Sequence, residues 1–291
     1  MNALEFLLAG TLAAALPLLL AALGEMVVEK TGLLNLGLEG MMALGAAIAF
    51  ICVYHSGSHS FGFLAASLAG ATLAMLFAFL VIFLKANEVA SGLAVGVLGL
   101  GLSALFGKNY ESLTISGLSE FGLPALSKIP VIGPALFTQD IVVWLAITGT
   151  MVLWYILNKT KLGLIIAAVG ENVEAARAIG YPVGGIRCAA VAFGGGMCGL
   201  AGAYASTVYT PLWADGMIAG RGWIALALVV FGTWQTGRVA FGAVLFGVLS
   251  LGELTAQAIG VAIPSQVLSS LPYFVTILML VAISRHRRHS S

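Results

Sequence analysis

The chain of 291 residues is 60% hydrophobic and 9% charged, with a net charge of +1 and a mean hydropathy of +1.05. Soluble domains carry about 25% charged residues, so this chain belongs in a bilayer, and its near-neutral balance excludes the basic face of a nucleic-acid-binding protein. Lipid admits only helices and closed barrels; the apolar segments here are long and continuous rather than alternating with period two, which excludes a barrel.

A helical span needs about 20 apolar residues. Residues 4–24, LEFLLAGTLAAALPLLLAALG, supply the first. The segment starts with Glu5 and no Lys or Arg, and no small-residue cleavage site follows, so an uncleaved helix is expected rather than a signal peptide. Further apolar segments follow at 41–54, 61–84, 88–106, 140–157, 185–205, 222–235, 239–258 and 266–283. The one at 222–235 is short enough to be re-entrant, giving an all-α polytopic membrane protein of about eight to ten transmembrane or re-entrant helices. Positive charge sets the orientation. With the N-terminus outside, 10 of the 13 Lys and Arg residues face inward and only Lys108, Lys128 and Arg221 face outward, which predicts N-out and C-in.

Between the first two spans lies GEMVVEKTGLLNLGLEGMMALG (24–45). Glu25 and Glu29 share a helix face, as do Asn35 and Glu39, and Gly32, Gly37, Gly40 and Gly45 loosen the backbone among them. Ionisable groups at membrane depth are costly and point into a bundle or a wet cavity, and glycines beside polar groups fit a broken helix lining a path. Glu25, Glu29 and Lys30 are expected at the cytoplasmic headgroup level. Asn35 and Glu39 have two readings, caps of a broken helix or lining of a translocation path, and Asn87 and Glu88, ahead of the fourth span, are candidates for the same lining.

The glycines at 92, 96, 99 and 101 and the run GGGMCGLAGA (194–203) read as faces where helices approach closely. The loop at 107–137, with Pro124, Pro130 and Pro134, is expected outside, where it covers a pathway or receives a partner. The loop at 158–184 is expected in the cytoplasm and contains GENVEAARAIGYP (170–182), which reads like the surface helix of a soluble protein. Asn172 is its N-cap, Glu174 lies in its first turn, Arg177 near its end, Gly180 is the left-handed stop and Pro182 follows. Two turns are too few to be stable alone, so this helix rests on something, either as an ordinary interfacial helix or as a docking element. Trp223 and Trp234 read as interface anchors. The basic tail SRHRRHSS (284–291) faces anionic lipid.

No catalytic or metal-binding pattern emerges. Cys52, Cys188 and Cys198 lack CxxC spacing and read as small buried residues, and His55, His59, His286 and His289 form no HExxH motif. There is no GxSG turn and no GxxxxGK[ST] loop, so any ATP used is bound by another chain.

Four ordered stretches together resemble the permease subunits of bacterial ABC importers of the branched-chain amino acid and simple-sugar superfamily, nearest the nucleoside branch. They are LGEMVVEKTGLLNLGLEGMMALGA, LKANEVASGLAVGVLGLGLSALFGK, GENVEAARAIGYPV and GRGWIALALVVFGTWQTGR with FGAVLFG, spanning about residues 20 to 283. The resemblance implies a type II-like importer fold in the bacterial inner membrane, with the pathway along an interface between two permease subunits, the second a distinct homologous chain. It implies an external substrate-binding lipoprotein, and ATPase subunits that carry ATP and magnesium. It also implies that Glu171, Asn172, Glu174, Arg177 and Gly180 form the element that docks into the ATPase. The rival reading is a secondary transporter that uses Glu39, Glu88 or Glu253 as proton or ion sites; it has no general need for the capped loop helix.

Overall fold

The computed structural model describes residues 3–119 and 139–258. Helix α1 runs Ala3–Glu29, α2 Leu38–Ser56, and α3 His59–Ala78 with a π-helical turn at Phe79–Phe83. Then come α4 (Glu88–Gly107), α5 (Ile141–Lys159), the short α6 (Lys161–Glu171) and α7 (Val173–Ala178), and α8 (Val183–Tyr204), which ends in a second π turn, Ala205–Tyr209. Helices α9 (Arg221–Phe231) and α10 (Thr236–Ala258) complete the set, and the β-structure among the described residues is one isolated bridge, Thr114 to Leu212. Six of these helices are long and apolar enough to cross a membrane; α9 and residues Thr236–Gly252 of α10 are shorter apolar helices. The all-helical, multi-pass architecture expected from composition is thus the one found. The expected span at 266–283, the tail and most of the loop at 107–137 lie outside the described residues.

Helix α8 is the axis of the bundle. Lipid tails give helices no hydrophobic reason to associate, so contact depends on close van der Waals packing between small residues. The glycine run of α8 supplies it on three sides. Gly194 abuts Gly24 of α1, Gly195 abuts Gly70 of α3, Gly199 lies on the Ala66 carbonyl of α3, and Gly202 lies on the Met42 carbonyl of α2. A single added Cβ at any of them would meet a neighbour at or below the distance real side chains tolerate. Hydroxyls finish the seam: Ser206 Oγ donates to the Ala46 carbonyl and Ser103 Oγ of α4 to the Ala43 carbonyl, both at 2.8 Å.

Burial is uneven across the bundle. In the most apolar stretch of α1, 89% of residues are buried, against 11% in α5. Helix α5 is held at its start, where Asp140 Oδ1 caps the Val142 and Val143 amides and Oδ2 accepts from the buried Tyr204 hydroxyl at 2.7 Å. Farther along, an apolar cleft of about 580 Å³ opens between α1, α3, α5 and α8, lined by Leu20, Phe63, Leu153 and Met197 among others.

The ends of the elements sort into two groups, as an alternating topology requires. At one, the Lys30 end, Arg187 at the start of α8 reaches the Thr31 carbonyl, and Trp234 after α9 reaches Glu29 at the end of α1. At the other, His55 in the last turn of α2 bonds Tyr110 after α4, and residues 114–115 pair with 211–212.

Candidate functional site

Three features break the regular bundle, and all three involve the polar residues that composition makes rare. The first is an elbow at the Lys30 end. After α5, the extended Thr160 turns the chain into α6, with Gly163 packed so tightly on the Leu157 carbonyl that no side chain fits there. Helix α7 begins at Asn172, whose Oδ1 accepts from the Ala175 amide at 2.9 Å, and Gly180 stops it at φ +94°. What the two-turn helix rests on is a small core of its own: Val169, Ala176 and Val183 are buried, with Val173, Tyr181 and Ile186 packed against them. Its other face is open. Glu171, Asn172, Glu174, Arg177 and Gly180 are all exposed, and Ile179 shows 70% of its surface.

The second feature is the break between α1 and α2. Residues 30–37 are not helical, and they climb beside the first turns of α4: Leu36 packs on Gly92, Gly37 lies against Gly92 and Gly96, and Gly40 against Gly96. A non-helical backbone inside a bundle leaves its amides without intrahelical partners, and each must be satisfied from elsewhere. Side chains from separate helices do this. Glu88 Oε2 accepts from the Leu34 amide and Glu25 Oε1 from the Asn35 amide, both at 3.0 Å, and Asn35 Oδ1 accepts from Gly37 at 2.9 Å. Arg187 Nε donates to the Thr31 carbonyl at 3.0 Å. Glu25, expected at headgroup level, is instead 1% exposed, because its carboxylate is consumed inside the bundle as the acceptor for this loop. Neighbouring Lys30 lies partly buried beside the elbow, and that burial holds its ammonium below the ordinary lysine value.

The third feature is the half-span α9. Eleven residues rise about 16 Å, half the thickness of a hydrocarbon core, so the helix must begin inside the bundle. Its first amides have no partner within the helix. Glu39, at the start of α2, provides one: its Oε1 accepts from the Gly220 amide at 3.1 Å. Gly220 needs its left-handed φ of +80° to aim that amide, and a Cβ on Gly222 would sit 2.6 Å from the Glu39 backbone, so the two segments touch with nothing between them. A carboxylate at a helix N-terminus also complements the macrodipole. Toward the His55 end, a cavity of about 260 Å³ opens over this junction, lined by Glu39, Ser103, Trp213 and Asp215 among others. At its far end α9 finishes in a turn where Thr233 and Trp234 both take positive φ, and the Trp234 indole N–H is accepted by the Glu29 carboxylate.

The structure brings Asn35, Glu88 and Glu39 together along the break, each engaged with a backbone amide, while Asn87 is an exposed N-cap whose Oδ1 accepts from Ala90 at 3.0 Å. Sequence reasoning passed over Arg187, Gly170, Gly220 and the Glu29–Trp234 pair. A basic residue in the second turn of a glycine-rich span, and a Trp following a Gly-Thr turn, were the available signals.

A buried bundle with a broken span, a capped half-span and an exposed elbow at one end defines a polytopic helical membrane protein. The chain belongs to the family described as the branched-chain amino acid transport system permease component, which it matches over residues 7–284. It is 39% identical to a putative glucose ABC transporter permease of Haloferax volcanii, over 94% of this chain and 90% of that one. It is 32% identical to a nucleoside ABC transporter permease of Lactococcus lactis (96% and 92%) and 32% identical to a guanosine ABC transporter permease of Bacillus subtilis (95% and 91%). No solved structure matches.

Proposed function

We propose that this chain is the membrane-spanning subunit of an ATP-driven importer for nucleosides or related purine and pyrimidine compounds, handed over by an external binding protein. The observation that carries the ATP-driven part is the elbow. A two-turn helix on its own small core, with Glu171, Glu174, Arg177 and Ile179 facing outward, is a surface built for another protein. In this reading the Lys30 end faces the cytoplasm, the partner is an ATPase subunit, and the elbow receives its movement. The sparsely buried α5 and its apolar cleft then face lipid or the second permease chain, a homologue distinct from this one. Asn35, Glu39, Asn87 and Glu88 flank the pathway, with Glu39 in the lining of the cavity.

A nucleoside is polar and nearly neutral, and its ribosyl hydroxyls are donors suited to the Glu39 and Asp215 carboxylates around the cavity. The same argument serves a free sugar, and the similarity to a putative glucose permease supports that second reading. The test is uptake of labelled guanosine and adenosine by cells carrying the full set of transporter genes, with and without this chain and with a hydrolysis-dead ATPase, under competition from ribose, glucose and leucine. Uptake that needs both chains and is blocked only by nucleosides or nucleobases supports the proposal. Blocking by sugars changes the cargo, and uptake that survives a dead ATPase removes the ATP-driven reading altogether.

A further inference from the structure

The carboxylates that bracket the broken span, Glu29 before residues 30–38 and Glu39 after them, hold opposite ends of α9: Glu39 takes the Gly220 amide at its start and Glu29 the Trp234 indole just past its finish. Loop and half-span therefore form one closed frame. The same loop is the part of the bundle that meets the elbow. Gly170, near the end of α6, packs directly on the Lys30 carbonyl and the Gly32 amide, and no side chain fits between them. Arg187, on the helix that leads out of the elbow, grips the Thr31 carbonyl from the other side.

We infer that Glu29, Glu39 and Trp234 are positioning residues for transport: they fasten α9 to the loop at 30–37, so that the elbow, the loop and the half-span move as one body when the partner acts. The inference rests on the proposed ATP-driven reading and adds to it the route by which movement reaches the cavity. Two features favour a clasp over ordinary packing. Thr233 and Trp234 both adopt left-handed backbone, which is unfavourable for side chains of this size, and that turn presents the indole N–H to Glu29. Only eight residues separate Lys30, beside the elbow, from Glu39, at the half-span, and the segment is tied at Thr31, Leu34, Asn35 and Gly37, leaving no slack to absorb a displacement.

The experiment uses the complete transporter in proteoliposomes and reads ATP hydrolysed per solute carried. Trp234→Phe keeps the ring and removes the N–H; Glu29→Met removes the acceptor, and Glu29→Gln restores one. A lost hydrogen bond corresponds to up to about tenfold in an equilibrium, so the ratio is expected to rise several-fold, by up to about tenfold, in Trp234→Phe and Glu29→Met and to return near the wild-type ratio in Glu29→Gln. An unchanged ratio in the first two, or no rescue by glutamine, overturns the inference. A second measurement uses no clasp variant: nitroxide pairs at Leu162 and Val230, and at Tyr54 and Val230, all exposed sites. On ATP binding the first distance is expected to hold and the second to change. A shift in the first, or none in the second, overturns the clasp. Wild-type uptake that continues with a dead ATPase overturns the functional reading instead.

Discussion

Helices α7 and α9 both start from a polar cap, and they solve the same problem in opposite settings. Asn172 caps α7 from the residue before it, in contact with solvent, across three residues of chain. Glu39 caps α9 from another helix, inside the bundle, across 181 residues. Water stands ready to replace the first cap, whereas the second is part-buried beside the cavity and joins two distant segments of the chain. A local cap therefore tunes the stability of one helix, whereas a long-range cap ties two parts of the fold together and makes each depend on the other. The elbow thus stays on as a modest appendage with its own core, and the half-span exists only as part of the bundle.

Substitutions at the two caps should separate these roles. The largest effect is expected at the half-span seat: Gly222→Leu drives a side chain into the Glu39 backbone, and the protein should fail to accumulate in membranes, as read by immunoblot of membrane fractions. Glu39→Ala comes next. It leaves the Gly220 amide without an acceptor, at a cost of about 2 kcal/mol, visible as a lower unfolding midpoint in detergent; Glu39→Gln, which keeps an acceptor, should recover most of that loss. If glutamine restores stability yet uptake stays low, the charge itself serves the pathway. Asn172→Ala should cost about 1 kcal/mol, confined to the elbow, seen as faster hydrogen exchange at Ala175 and Ala176 with the bundle amides unaltered. The smallest stability effect belongs to the double variant Glu174→Lys with Arg177→Glu. Both side chains are exposed, so folding should be unchanged within about 0.5 kcal/mol while ATP-driven uptake falls; full uptake by this variant would remove the elbow from the coupling assignment.

The contrast also explains what could be read in the sequence. The elbow helix was legible because its signals lie within about ten residues: Asn172, Glu174, Gly180 and Pro182 are local chemistry, and the structure puts the cap and the left-handed stop at those positions. The glycine runs announced close helix contact, though not that one run on α8 would serve three neighbours. The broken span at 24–45 was legible as irregular, because glycines and polar residues alternate there. Its partners were not: Leu34 finds Glu88 at 54 residues' remove and Glu29 finds Trp234 at 205, and no pattern within a window reports such pairs. Glu25 was misjudged for the same reason. A carboxylate four residues from another near the end of a span looks solvated until the loop that it satisfies folds back over it.

The loop at 30–37 is completed late in synthesis. A ribosome delivers residues 30–37 long before Glu88 and Arg187, so a nascent chain that ends after α3 holds neither the acceptor for the Leu34 amide nor the donor for the Thr31 carbonyl. Until α4 and α8 have been threaded into the membrane, that loop can keep its backbone hydrogen-bonded only by staying in contact with water. The two oldest spans thus wait, unfinished at one end, for the chain made after them, and a cysteine placed at Leu34 should stay open to water-soluble thiol reagents in truncated chains and close only once α8 is complete.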